Sequence, residues 1–406
     1  RPQLESEALA LKLFETGWCQ RLRDVSQTAN TRLVYMFSEH SRFGHSVGVA
    51  FLANMLMDRL AVNFPEDIAR YRTAVSAAAV LHDVGHLAPG SHTACKTWFP
   101  TAADAHEQIG IKIIAEDSEL VGLLNNYGED LVDDVCAILS EAPHLPPWTW
   151  EIISGGGWNV DRGNWCIVDS ILAGVNYGKY NIPALIESMQ LSSDKHLTLR
   201  ENRLDAMMHF ALSRHAMYRQ IYQHRVLLAA DTLNQAIAQR ARDLGPQTVF
   251  ADQAMQYVLA AETPEALELE TIFAMRESWW RYHLAQWSVA SDAVLRDLST
   301  RLLNRKLFKT VRIRKVDDAD KLRAEAREAV IQAGFDPRYY LQEVSTVYMH
   351  KNDSRQSLLV SLDDGSVLTM GAAEPLYDAI TKESSESIKA WLVMPAEAKL
   401  ILGRER

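Results

Sequence analysis

The feature that most constrains the fold is a helical hydrophobic period that persists, with few breaks, through roughly the first 300 residues. In segment 46–60 (SVGVAFLANMLMDRL), Val49, Leu52, Leu56 and Leu60 fall on one helical stripe. Segment 71–83 is Ala-rich and ends in the polar pair His82-Asp83, followed by Gly85. Segments 164–175, 204–242 and 267–309 carry similar patterns. Gly and Pro gather in 84–100 and 142–163, the latter with Pro146-Pro147 and Gly155-Gly156-Gly157, and these stretches predict loops. They flank the polar residues discussed below, as expected where loops carry function on a helical scaffold.

After about residue 316 the pattern changes. Segment 318–334 predicts a further helix, whereas 339–349 and 357–370 favour strands, the second with an Asp-Asp-Gly turn. The expected architecture is mainly α: a helical domain over residues 1–316 and a small α+β appendage over 317–406.

Charge and cysteine use narrow the function classes. Lys and Arg number 42 against 52 Asp and Glu, a net charge of −10, so no global field draws in nucleic acid or anionic membrane. Cys19, Cys95, Cys136 and Cys166 show no CxxC spacing, which argues against a disulfide scaffold or a Cys-type zinc site and fits a reducing compartment. No apolar run reaches the roughly 18 residues of a membrane span, and no signal peptide is evident. A cytoplasmic protein without membrane contact is expected. One local basic run, 301–315 (RLLNRKLFKTVRIRK), could bind phosphate backbones, although such runs are more often solvated helix faces or subunit interfaces.

The chemistry-bearing pattern is His45, His82-Asp83 and Asp161, set in a stretch where His86, His92 and His106 also fall. Two imidazoles and two carboxylates from separate helices make a mixed N/O set that suits Mn, Mg, Fe or Zn and leaves positions open for water and substrate. The competing reading is a group of hydrogen-bonded histidines without a metal. Asp161, Trp165 and Asp169 recur at i, i+4, i+8, as do Arg214, Tyr218 and Tyr222, so two helices could line one pocket.

These residues carry a resemblance. H…HD…D resembles the HD phosphohydrolase superfamily, and the wider text resembles its deoxynucleoside triphosphate triphosphohydrolase branch. The likeness runs from Gln20-Arg21-Leu22-Arg23 and Gln27 through Arg42-Phe43-x-His45, His82-Asp83-x-Gly85-His86 and His106-Glu107-Gln108. It continues through Asp161-Arg162, Asp169, Arg214 and Tyr222-Gln223-His224-Arg225 to Arg305-x-Leu307-Phe308-Lys309. It is to the catalytic core of members that pair the HD domain with a SAM domain; no SAM domain is expected in this sequence.

The resemblance implies an HD-type helical bundle and a divalent metal held by His45, His82, Asp83 and Asp161. It implies hydrolysis of (deoxy)nucleoside triphosphates to nucleoside and inorganic triphosphate. His92 and His106 both match active-site histidines, with Glu107 beside the latter. Gln27, Thr28, Arg42, His86, Arg162, Trp165, Asp169, Arg214, Tyr222 and Gln223 match substrate-contacting positions. Glu15, Gln20, Arg23, Arg305 and Lys309 match parts of a nucleotide-activator pocket, and family members assemble as dimers to tetramers.

Four positions depart from the family pattern. Leu87–Ser91 makes a longer spacer before His92; Cys95 replaces an acid that supports the catalytic His, a role open to Asp104 or Glu107; Trp165 replaces Tyr; and Thr28 replaces a Leu against the sugar 2′ position. A hydroxylated wall relaxes discrimination against ribose. Alternative readings are a nucleotidase or nucleotide pyrophosphatase on the same fold, or a nucleic-acid- or nucleotide-binding protein with a vestigial site.

Overall fold

The computed structural model describes residues 5–89, 93–102, 104–314, 318–346, 358–381 and 388–403. Its main helices are α1 (Glu5–Glu15), α2 (Arg42–Ala61), α3 (Pro65–Leu81), α4 (His106–Glu116), α5 (Leu131–Leu139), α6 (Trp148–Ser154) and α7 (Val160–Leu172). The later ones are α8 (Leu204–Met217), α9 (Arg225–Leu244), α10 (Glu277–Trp287), α11 (Ala293–Leu303), α12 (Ala319–Gln332) and α13 (Ala396–Leu402). The mainly α class read from the sequence holds. No helix among the described residues is long and apolar enough to cross a membrane.

Helix α3 is the central helix of the N-terminal half. Pro65 opens it, with Glu66 and Asp67 in the first turn, where a fixed φ and negative charge favour a helix start. From Ala74 to Leu81 every side chain is buried, so this helix is covered on all sides. Its small Ala77, Ala78 and Ala79 let neighbours approach closely. Helices α1 and α2 pack along it, and α7 lies on the other flank of α2. The α2 stripe Val49, Leu52, Ala53, Leu56 and Leu60 is the face turned inward.

Longer helical patterns in the sequence are broken in the structure. Residues 204–242 divide at a π-helical turn, Tyr218–Tyr222, between α8 and α9. Segment 339–349 begins not as a strand but as a helical turn, Pro337–Tyr340, capped by Asp336; residues 347–349 lie outside the described set. Proline at the first helical position with an Asp cap outweighs the β preference of Tyr339 and Tyr340.

Among the described residues seven short strands form two sheets: β1 (Met189–Leu191), β2 (Leu197–Arg200), β3 (Lys309–Ile313), β4 (Gln342–Ser345), β5 (Leu359–Ser361), β6 (Val367–Thr369) and β7 (Ala390–Met394). One sheet has the order β1-β2-β5-β6 and the other β3-β7-β4. Strand β5 pairs in parallel with β2, Leu199 opposite Val360, and β7 pairs antiparallel with β3, Val311 opposite Leu392. The boundary expected at 316/317 is therefore crossed by both sheets. Strands after residue 317 satisfy backbone groups of strands before it, which ties 317–406 to the helical body. The basic run 301–315 ends α11 and forms β3, with Arg301 nine-tenths buried between Asp297 and Glu397.

Candidate active site

Three elements bring the HD residues together. His45 sits in the second turn of α2, His82 and Asp83 follow the last residue of α3, and Asp161 lies in the first turn of α7. The Asn159 side chain caps α7 by accepting the Arg162 backbone N–H at 2.8 Å, which sets where Asp161 begins. One donor atom each from His45, His82 and Asp161 falls within a 4.8 Å cluster. His45 Nε2 is 3.0 Å from Asp161 Oδ1 and 3.3 Å from His82 Nε2.

The outer ring nitrogens are already engaged. His82 Nδ1 lies 2.9 Å from the Ala79 carbonyl, and His45 Nδ1 lies 2.9 Å from Asn164 Oδ1. With each Nδ1–H donating outward, both Nε2 lone pairs would face the cluster, the tautomer that metal ligation requires. Gly48 makes the Asn164 contact possible: a Cβ there would stand 2.0 Å from Asn164 Nδ2. The donor chemistry, two neutral imidazoles and a carboxylate, fits a divalent cation.

Asp83 stands beside this triad, its Oδ1 3.5 Å from His82 Nε2 and its Oδ2 3.7 Å from His45 Nε2. Here it is held by Arg42 Nη1 at 2.6 Å and by His86 Nε2 at 3.2 Å. Burial would raise its carboxyl, but Arg42 and the neighbouring imidazoles hold it well below the usual carboxylate range. Burial likewise opposes ionisation of Asp161, but His45 keeps its pKa low. Burial lowers His82; in His45 burial also pulls down, but the Asp161 hydrogen bond and the Asp83 and Asp161 charges together raise it.

His86 and His106 stack, with ring centroids 4.0 Å apart and planes 14° from parallel. Gly85 permits this, because a Cβ there would come within 2.0 Å of the His106 carbonyl and 2.4 Å of Gly110 N. The fully buried Arg21 braces the same turn by donating to the carbonyls of Val84, His86 and Met275. Burial and Arg42 push His86 well below its ordinary value. His106 goes the other way: burial pulls it down, but Asp104, whose Oδ1 lies 2.9 Å from His106 Nδ1, together with the Glu107 and Asp83 charges raises it. Asp104 is thus the acid that supports a histidine here. Cys95 is a buried thiol pushed up to about 11 by desolvation, hence neutral.

Two chambers adjoin the cluster. The polar one, about 90 Å³, is walled by His82, Asp83, His86, His106, Glu107 and Asp161. The aromatic one, about 190 Å³, is walled by Thr28, Asp169, Tyr218 and Tyr222, among others. Gln27, Arg42 and Trp165 line both. Tyr222 donates to Asp169 Oδ2, and His40 Nε2 lies 2.7 Å from Asp169 Oδ1, which fixes that carboxylate in the wall. The Trp165 and Tyr222 rings meet edge to face at 5.3 Å. Among the described residues, Gln27 Oε1 and Thr28 Oγ1 are buried without a hydrogen-bond partner.

Other expected site residues are placed differently. The Arg162 guanidinium donates to the carbonyls of Gly155 at 3.0 Å and Gly157 at 3.3 Å, so it braces the glycine loop. Arg214 is buried with its guanidinium 5.6 Å from the Tyr218 ring centroid, and Gln223 ends the π-helical turn. None of these three lines either chamber. An exposed-looking Arg in a sequence does not reveal nearby carbonyls that compete for it. His92 lies outside the described residues. Of the activator-pocket residues, Gln20 accepts from Arg23 at 2.8 Å, and Arg23 stacks over Phe43 at 3.7 Å. Glu15 is exposed at the end of α1, Lys309 is exposed on β3, and Arg305 donates to the Leu33 carbonyl at 2.7 Å.

Sequence reasoning missed Asn164, His40, Asn30 and Asp231. Asn164 had a usable signal, since it falls three residues after Asp161 on the same helix. The others reach the site only through long-range packing.

The family described as HD domain matches residues 42–174. Uncharacterized protein YwfO of Bacillus subtilis (strain 168) is 30% identical over 336 residues, covering 82% of this chain and 75% of that protein. Deoxynucleoside triphosphate triphosphohydrolase SAMHD1 of Gallus gallus is 25% identical over 254 residues, covering 55% of this chain. The chain spans 41% of the length of that relative. A crystal structure of a phosphohydrolase from Bacteroides thetaiotaomicron VPI-5482 superposes with a TM-score of 0.80 at 22% identity, covering 97% of this chain and 96% of the other, a likeness of fold.

Proposed function

This chain belongs to the HD-domain family, and from that premise we propose that it hydrolyses nucleoside triphosphates, deoxy- and ribo- alike, to nucleoside and inorganic triphosphate. The observation that carries the proposal is the pair of adjoining chambers. A polar chamber holding the donor cluster shares Gln27, Arg42 and Trp165 with an aromatic chamber suited to a sugar and base. The retained similarity to a deoxynucleoside triphosphate triphosphohydrolase supports the same substrate class.

In this reading His45, His82 and Asp161, with Asp83 beside them, hold a divalent cation (Mn, Mg, Fe or Zn). When bound, it supplies positive charge against the phosphate oxygens and acidifies a water. The residues of the chain do the rest. Arg42 reaches toward the phosphates from the wall shared by both chambers while keeping Asp83 ionised. Trp165 and Tyr222 flank the sugar, and Asp169, anchored by His40 and Tyr222, accepts from the 3′-hydroxyl. Thr28 Oγ1 and Gln27 Oε1 offer their unpaired oxygens to sugar hydroxyls, which is why ribose is admitted.

Attack by water forms a new P–O bond at the α-phosphorus and breaks the bond to the 5′ oxygen. That oxygen needs a proton. We assign it to His106 Nε2, because the Asp104 contact at Nδ1 favours the imidazolium. Homo-oligomeric assembly with nucleotide activation through Glu15, Gln20, Arg23, Arg305 and Lys309 belongs to the same proposal.

Product analysis tests it. The protein is incubated with Mn or Mg and a panel of dNTPs, NTPs and monophosphates, and products are resolved by ion exchange. Nucleoside with intact triphosphate is expected. Monophosphate with pyrophosphate would move the scissile bond and reject the assignment to the α-phosphorus–5′ oxygen bond.

A further inference from the structure

The wall of the aromatic chamber that is not shared with the polar one carries a carboxylate of its own. Asp231 lies on α9 one turn after Leu227, and both line this chamber with Asn30 of the 3-10 turn Ala29–Leu33. Asn30 Nδ2 donates to Asp231 Oδ1 at 2.8 Å. Among the described residues no Lys, Arg or His pairs with Asp231, and its Oδ2 has no hydrogen-bond donor.

A half-buried carboxylate kept beside a ligand chamber without a cation is costly unless something completes it. Burial pushes this carboxyl up to about 7, even though the Asn30 hydrogen bond pulls it down. The hydrogen bond also has a geometric effect. It pins one oxygen and so fixes the plane of the group, while a carboxylate retains further lone pairs on both oxygens. The result is an oriented double acceptor in the chamber wall, beside Asn30 and Leu227.

We propose that Asp231, oriented by Asn30, reads the nucleobase and selects guanine; this rests on the chamber being the nucleotide site. Guanine is the one common base with two adjacent donors on one edge, N1–H and the exocyclic N2–H, which match two carboxylate oxygens. Adenine and cytosine place an acceptor nitrogen beside their amino group, and uracil or thymine flanks N3–H with carbonyls. Each of those edges sets a lone pair against the carboxylate, and an unmatched buried polar group is what makes such a site selective.

The test uses nucleosides without phosphates and protein without added metal, so that binding is read apart from turnover. Titration calorimetry compares guanosine, inosine, adenosine and xanthosine. Guanosine is expected to bind roughly tenfold or more tighter than adenosine, with inosine, which lacks the N2 amino group, in between. In Asp231→Asn the amide offers one acceptor and one donor, with Asn30 keeping the oxygen in place. That variant is expected to lose its hold on guanosine and gain xanthosine, whose edge pairs N1–H with a C2 carbonyl. A purely structural role for Asp231 would lower all affinities and create no new preference. Equal affinities in the unaltered protein, no nucleoside binding at millimolar concentration, or an undiminished guanosine preference in Asp231→Asn would each overturn the proposal. The guanosine–inosine comparison needs no variant and stands if the substitution impairs folding. Guanosine selection without triphosphate release would sink only the hydrolase reading; hydrolysis without base ranking would sink only this one.

Discussion

Arg42 Nη1 lies 2.6 Å from Asp83 Oδ2, and the two side chains are among the most buried charges in the protein, at 2% and 4% exposure. The pair ties the first turn of α2 to the end of α3, the junction on which the donor cluster is built. Removing one member leaves the other as an uncompensated buried charge. Arg42→Gln is expected to destabilise the fold by about 3 kcal/mol. Urea unfolding monitored by circular dichroism measures this, and an unchanged midpoint would show that Asp83 has another counter-ion.

The donor cluster is expected to make the protein's stability depend on divalent cation. A ligand that binds only the folded state raises stability by RT ln(1 + [L]/Kd), about 2.7 kcal/mol at a hundredfold excess over Kd. Melting with Mn, against a chelated control, is expected to show a higher Tm in the unaltered protein and none of that increase in His82→Ala. An equal increase in both would place the metal elsewhere.

Gly48→Ala is expected to act on the metal through Asn164. The new methyl would occupy the position 2.0 Å from Asn164 Nδ2, displacing the amide that fixes the His45 ring. Loss of such an orienting partner typically weakens metal binding by roughly 10–100-fold. Calorimetric titration of the metal-free protein reads this directly. Asn164→Leu is expected to give the same loss without the steric clash.

The His106–Asp104 pair sets a pH limit. Because the folded pKa of His106 is raised, its protonated form, and the stability it contributes, is fully present below the unfolded value and lost as pH rises through the folded one. The kcat profile is therefore expected to fall on the alkaline side. Asp104→Asn removes the contact that raises the pKa, so this limb is expected to move down by about 1 unit. A limb that stays in place would exclude His106 as the proton donor.

Tyr222→Phe is expected to act mainly through Asp169, which loses one of its two anchors. A buried acceptor deprived of its donor costs about 1–3 kcal/mol. The effect is expected in KM more than kcat, because in the proposed reading Asp169 positions the sugar and touches no reacting atom. Steady-state kinetics separates the two, and a change confined to kcat would contradict this role.

The helical class, the HD residues and the resemblance through Tyr222 were legible in the sequence, because periodicity and ligand type are local properties of the chain. His45, His82 and Asp161 do converge, and Asp169, Trp165 and Tyr222 share one chamber wall. Arg162 shows the limit of such reading: its residue type suits phosphate, yet the carbonyls of Gly155 and Gly157 hold it.

Tertiary structure alone decided the rest. The partners Asn164 for His45, His40 for Asp169 and Asn30 for Asp231 lie 119, 129 and 201 residues apart in the chain. Both sheets are closed by strands from beyond residue 317. Spacing along a sequence encodes which residues share a helix face. Which faces then meet depends on the packing of many small contacts over the whole core, and hydrogen bonds made across that packing leave no periodic trace in the chain.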